Sequence, residues 1–302
     1  MQQPPIDQSE IDARIEDHVE ELLHLWQAEQ GGATKDRDLR IVSSSIPFPR
    51  DRALRTLDLC CGPGDLGRAI WHNYPNAQID YVDRDPLLLS ICRGFNARAG
   101  VPGTYRQLDL DHESWCEGLR ARHYDVVAIA NAVHWLGAIR AKTVFGDIHR
   151  LLDDGGTLLF AEPVSPAVPF APGFDEWKAR QEPRYEQGSW KAFWDRANSL
   201  IGYDHTELLG SQEGGRIGDG MTVRGWIDLV EASDFQAVDV LWRDADVVIV
   251  AAQKAPAGQD GRRGGSPAAR DSRVGRLEAV VRAWACARLR ADAELTEERD
   301  GS

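Results

Sequence analysis

The chain has no run of about 18 apolar residues, the minimum for a membrane span, so no spanning helix is expected. It has no excess of basic charge either. Formal net charge is −13, which disfavours a phosphate backbone as partner, because nucleic acid requires a basic stripe. Cysteine is scarce: there are 5, an odd number, and no two form a C-x-x-C pair. Neither a zinc site nor a disulfide framework is indicated, and a reducing compartment suits them. No His/Asp/Glu cluster at metal-ligand spacing stands out, so no metal is expected. The opening residues Met1-Gln2-Gln3-Pro4-Pro5 lack the basic and apolar regions of a secretory leader, and the expected location is the cytoplasm. What is present is ordinary globular material, with hydrophobic content of 42% and charged content of 27%.

The strongest local signal is Leu57-Asp58-Leu59-Cys60-Cys61-Gly62-Pro63-Gly64-Asp65-Leu66-Gly67. An apolar strand runs into a glycine turn that opens a helix, which lets backbone approach a ligand and offers it free N–H groups. Gly62, Gly64 and Gly67 also satisfy G-x-G-x-x-G, a pattern shared with dinucleotide folds and weak by itself. The acids decide between them. Asp58 lies inside the strand, where it could hold an ammonium group or an ordered water. Asp83 ends the next apolar run, Ala77-Gln78-Ile79-Asp80-Tyr81-Val82-Asp83. It stands roughly 20 residues past the glycine turn, as a ribose-binding acid does. Asp109 closes Thr104-Tyr105-Arg106-Gln107-Leu108-Asp109, where it could accept from an adenine amino group. Each acid alone reads equally well as a strand-end cap. Three at the ends of successive strands, beside a glycine turn, point to the ligand edge of an open α/β sheet.

These residues resemble the class I S-adenosylmethionine-dependent methyltransferases. Leu57–Gly64 is similar to their first motif, Asp83 to their ribose-binding acid and Asp109 to their adenine-binding acid. Tyr124-Asp125-Val126-Val127-Ala128-Ile129-Ala130-Asn131 is similar to their fourth strand, and Leu151-Leu152-Asp153-Asp154-Gly155-Gly156-Thr157-Leu158-Leu159 to their turn into the fifth. The resemblance covers roughly residues 40–254 and departs at Cys60, where many members carry glycine. It implies a Rossmann-like seven-stranded sheet, parallel with an antiparallel C-terminal hairpin strand. It also implies S-adenosylmethionine as cofactor, contacted by Asp58, Cys60, Gly62, Gly64, Asp83, Arg84, Asp109, Leu110 and Asn131.

Alternating apolar runs give strands near 55–61, 77–83, 104–109, 124–131 and 156–162. Helices are expected near 65–74, 86–99, 112–121 and 137–152. Residues 1–40 form a helical cap whose main helix, 9–30, carries Ile11, Ile15, Val19, Leu22, Leu23 and Trp26 on one face. Such a helix either covers the cofactor or merely packs. The core, 41–254, carries an insertion at about 163–221, read as a helical lid rich in aromatics. A helix to about Ser233 and an antiparallel hairpin, Ala237–Trp242 with Val247–Gln253, complete the core. Residues 255–273 read as a flexible linker and 274–302 as an amphipathic helix and tail. That helix docks on the domain, on a partner or on a second copy, or stays frayed.

Past the fourth strand lies Asn131-Ala132-Val133-His134-Trp135-Leu136. Histidine is the side chain that titrates nearest neutrality, which makes His134 the candidate base, with Glu162 as a second. The His-Trp pair resembles that position in small-molecule methyltransferases, including enzymes that methylate trans-aconitate and juvenile-hormone acid. Trp135, Trp177, Arg184 and Tyr185 are the candidate substrate contacts. The expected activity is methyl transfer to a small molecule, on oxygen above nitrogen or carbon, with a carboxylate acceptor requiring no base. The alternatives are a silent cofactor-binding partner subunit and an enzyme acting on a carrier-tethered acyl group.

Overall fold

The computed structural model describes residues 8–29, 32–119, 123–167, 189–202, 221–244 and 246–258. Seven strands make one sheet: β1 Arg55–Leu59, β2 Gln78–Asp83, β3 Thr104–Gln107, β4 Tyr124–Ala130, β5 Leu152–Pro163, β6 Ala237–Arg243 and β7 Val247–Gln253. Their order is β3-β2-β1-β4-β5-β7-β6. β1 to β5 run parallel, and β7 enters antiparallel between β5 and β6. The chain travels from β1 outward to β3, then returns to lay β4 against the other side of β1. That reversal is the switch point at which open α/β sheets bind ligands. The expected fold class is the observed one.

Helices cover both faces. On one face Leu57 and Leu59 of β1 join a core with α6 (Ala138–Leu151) and α8 (Val223–Glu231). Trp226 of α8 is fully buried there, and its Nε1 donates to the Pro163 carbonyl at 3.0 Å. On the other face Ile79, Tyr81 and Val126 pack with α3 (Gly32–Ser44), α4 (Asp65–Asn73) and α5 (Pro86–Ala99). Strand periodicity explains this division, since alternate side chains leave opposite faces. α5 is bounded by its own sequence. Pro86 stands in its first turn, Asp85 caps it by accepting from the Leu87 and Leu88 amides, and Gly100 closes it with a left-handed φ of 70°.

Four expectations need correction. The helix expected over 9–30 is two helices, α1 Gln8–Ile15 and α2 Val19–Glu29, joined by a 3₁₀ turn Glu16–His18. A further helix, α3, follows; its Leu39 and Val42, with Ile46 just beyond its end, are buried on that face of the sheet. In place of the helix expected at 112–121, the described part holds turns and a 3₁₀ turn Glu117–Leu119. Trp115 is locked there by donating its Nε1 to Asp147 of α6 at 2.8 Å, and Gly118 lowers helix propensity. β5 begins earlier than expected, at Leu152, and β3 ends earlier, at Gln107.

Within the expected lid, α7 (Ser189–Ile201) is a helix as anticipated. Its Phe193, Ala197 and Ile201 are buried on α1 and α2. The rest of that insertion, 168–188 and 203–220, lies outside the described residues, as do Trp177, Arg184 and Tyr185. The linker from 259 onward and the 274–302 helix lie outside them too. Among the described residues no helix is long and apolar enough to cross a membrane.

Candidate functional site

β1 delivers the chain to the switch point and the turn after it is built from unusual backbone. Cys60 has φ 56° and Gly62 φ 52°, both left-handed. Glycine adopts that region without penalty, whereas a side chain such as that of Cys60 costs about 1–2 kcal/mol. The Cys61 amide donates to the Val82 carbonyl at 2.9 Å and fixes the turn to β2. Gly64, at φ 86°, opens α4; a Cβ there would meet the Cys92 sulfur at 2.4 Å. Gly62 lines the cavity beside the turn, but Gly64 does not. Gly64 lets the turn pack closely on α5. Burial pushes the Cys60 thiol well up, with the Asp83 and Glu162 carboxylates adding to the effect, so it stays protonated.

The cavity holds about 270 Å³ and lies at the C-terminal ends of β1, β2 and β4. Asp58, Asp83 and Asp109 all line it. Asp58 is buried and accepts from the Gly67 amide at 2.8 Å through Oδ2. Burial pushes its carboxyl up to about 7, partly offset by that hydrogen bond. Asp83 accepts from the Gly62 amide at 2.8 Å through Oδ2 and from the Asp85 amide at 2.9 Å through Oδ1. Burial, then the Asp85 charge, raise it to about 6. A carboxylate has about four lone-pair sites, so each Asp83 oxygen keeps capacity for one more donor. Asp109 sits two residues beyond the end of β3, in a turn where its Oδ1 accepts from the Asp111 amide at 2.9 Å. Arg84, Leu108 and Leu110 line the same end.

The β4 end is organised by a buried carboxylate. Asn131 is left-handed, at φ 57°, and its amide donates to the Ala161 carbonyl at 2.7 Å. A 3₁₀ turn, Val133–Trp135, follows. Glu162, on β5 and 1% exposed, accepts from the Ala132 and Val133 amides at 2.9 and 2.7 Å through Oε1. Its Oε2 pairs with His134 Nδ1 at 2.8 Å. The two residues expected to carry catalysis are thus brought together, but neither lines the cavity; Ala130, Asn131, Ala132, Trp135 and Leu136 do. Glu162 thus ties down the Ala132, Val133 and His134 amides, between the cavity-lining Asn131 and Trp135. Asn131 and Trp135 are the exposed members of the lining group.

The remaining wall comes from elements whose role composition did not reveal. Trp26 of α2, Lys35 and Leu39 of α3 and Trp194 of α7 all line the cavity. Trp26 meets Trp194 edge-on at 6.5 Å, and a Cβ on Gly62 would lie 3.5 Å from the Trp26 ring. Lys35 Nζ stands 5.9 Å from the Trp26 ring and 3.2 Å from Asp65 Oδ2. Trp26 was visible as part of a helical apolar stripe. Nothing in the spacing of Lys35 marks it, because α3 itself was not legible. Among the described residues no group of three or more His, Cys, Asp or Glu side chains is arranged to hold a metal ion.

Residues 56–156 match a family model described as "Methyltransferase domain". A segment of the highly reducing polyketide synthase stpks1 of Strobilurus tenacellus is 28% identical over 132 residues, 42% of this chain and 4% of that protein. Trans-aconitate 2-methyltransferase of Streptomyces avermitilis is 31% identical over 122 residues, 38% of this chain and 41% of that enzyme. The matched stretch thus spans less than half the length of either relative. Human N-acetylserotonin methyltransferase, solved in complex with SAM, overlaps 83% of this chain and 60% of its own, with 15% identity and a TM-score of 0.48.

Proposed function

We propose, on the premise that residues 56–156 form a class I S-adenosylmethionine-dependent methyltransferase domain, that this protein methylates a small molecule. The observation that carries the reading is the pairing of Asp58 and Asp83 around Gly62 in one cavity at the switch point. Backbone amides pin both carboxylates while leaving each with unused lone pairs. The residues fit the cofactor group by group. Asp83 would take the two ribose hydroxyls, and Asp58 the ammonium group. Asp109 and Arg84, with Leu108 and Leu110, would hold the adenine end.

S-adenosylmethionine, when bound, supplies a methyl group on a sulfonium, a good leaving group. The protein's part is alignment and exclusion of water. The Trp26 and Trp194 wall excludes water, and the His134–Glu162 clamp sets the β4 turn that carries Asn131 and Trp135. His134 and Glu162 act as positioning residues. Oxygen is the proposed acceptor atom, in a carboxylate. An ionised carboxylate needs no base, which agrees with a cavity not lined by His134. The similarity to an enzyme named for trans-aconitate supports an acid as acceptor.

Transfer of labelled methyl from S-adenosylmethionine into a metabolite extract tests this directly, with Asp83→Ala as control. Label should appear only with the unmodified protein, and mild base should release it if the product is an ester. A protein that neither binds S-adenosylhomocysteine nor transfers label overturns the reading.

A further inference from the structure

The acids of the cavity account for the ammonium and ribose of the cofactor, but an amino acid also carries a carboxylate. Two cations line the cavity among the described residues, Lys35 and Arg84. Arg84 lies between Asp83 and Asp85, at the ribose end. Lys35 reaches the opposite end, beside Asp65 at the start of α4 and over the face of Trp26. We propose that Lys35 is the residue that binds the aminoacyl carboxylate of the cofactor, completing with Asp58 a pair of opposite charges for a zwitterion. The inference rests on the proposed function.

Three features support it. First, Asp65 has partners besides Lys35. Its Oδ1 accepts from Gln27 Nε2 at 2.9 Å and from Arg68 Nη2 at 2.6 Å. Arg68 is itself fixed by donating to the Pro63 carbonyl at 2.6 Å and to Asn96 Oδ1 at 3.2 Å. Lys35 can therefore turn toward a ligand without leaving a buried carboxylate unpaired. Second, Arg68 keeps its own pairing to Asp65 and does not line the cavity, so Lys35 is the lining cation at this end among the described residues. Third, an ammonium has three donors; one goes to Asp65, and the open cavity faces the group.

Titration calorimetry separates this role from a structural one, using S-adenosylhomocysteine and 5′-methylthioadenosine. The second ligand keeps the adenosine and thioether and lacks the amino acid. Lys35→Met should weaken S-adenosylhomocysteine about tenfold or more, the loss of one charge-assisted contact. It should leave 5′-methylthioadenosine within about twofold, and Lys35→Arg should recover most of the loss. Equal weakening of both ligands would mean that Lys35 merely supports the wall, and unchanged binding of both that the carboxylate is held elsewhere; either result overturns the inference alone. Unmodified protein that binds neither ligand removes the proposed function and this inference together. Should Lys35→Met fail to fold, Lys35→Gln carries the same comparison.

Discussion

At the scale of the residue, the site is defined by side chains whose surroundings contradict their ordinary habits. Cys60 holds a left-handed backbone that glycine would adopt without strain. The strain is relieved by Cys60→Gly, while the lost side-chain burial and the freer unfolded chain act the other way. The net effect should be within about 1 kcal/mol of zero. Cys60→Val cannot escape the penalty, since a β-branched side chain is least tolerant of positive φ; it should lose about 2 kcal/mol or more. Urea denaturation of the three proteins checks the order, and a valine variant as stable as the glycine one would contradict it. The presence of Cys60 at a glycine position was legible in the sequence. Its φ was not, because the turn's geometry is set by the Cys61–Val82 hydrogen bond to a strand distant in sequence. The same holds for Gly64. Its spacing marked it, but the close approach of Cys92 from α5 arises only in the fold.

At the scale of the element, legibility followed how locally each piece is determined. α5 could be bounded from its sequence, since Asp85, Pro86 and Gly100 are cap signals that act within one turn. α3 could not, because its buried positions Leu39 and Val42 are few, and packing on α4 and the sheet rather than its own periodicity holds it. The 3₁₀ turn after β4 is a third case: β5 supplies its cap. Glu162 receives the Ala132 and Val133 amides, so removing its carboxylate leaves two donors and His134 without their partner. Each orphaned buried donor costs about 1–3 kcal/mol. Glu162→Ala should therefore lose about 3 kcal/mol or more in chemical denaturation, and Glu162→Gln, which keeps one acceptor oxygen, clearly less. If the pair positions the turn, both variants should also weaken substrate and slow turnover without moving the pH profile. A stable Glu162→Ala protein with an altered pH profile would restore His134 to a direct part in catalysis.

At the scale of the whole molecule, the sheet was legible because strict strand–helix alternation leaves few topologies once crossovers are right-handed. The cavity was not, since its outer wall is assembled from α2, α3 and α7, which meet only through the fold. Burial of the acids has a consequence that no single residue shows. It raises Asp58 from 3.8 to about 7 and Asp83 from 3.8 to about 6. Burial would raise Asp65 too, but the neighbouring Lys35 and Arg68 charges prevail and hold it at about 2. A folded-state value above the unfolded one means that the native protein binds the extra proton. The stability contributed by Asp58 and Asp83 is thus fully present below about pH 4 and is lost as pH rises through about 6 to 7. Asp65 acts oppositely, contributing above about pH 4 and losing its contribution as pH falls toward about 2. The ligand-free protein should accordingly melt at progressively lower temperature between about pH 5 and pH 8, and Asp58→Asn should flatten that slope. S-adenosylhomocysteine brings an ammonium to the ionised Asp58, so its stabilising shift should grow over the same interval and its binding should release protons near pH 7. Differential scanning calorimetry with and without ligand across this range reads both effects. A melting temperature that rises from pH 5 to 8 in the free protein, or a ligand shift that Asp58→Asn leaves equally pH-dependent, would show that the two acids are not a proton-binding pair.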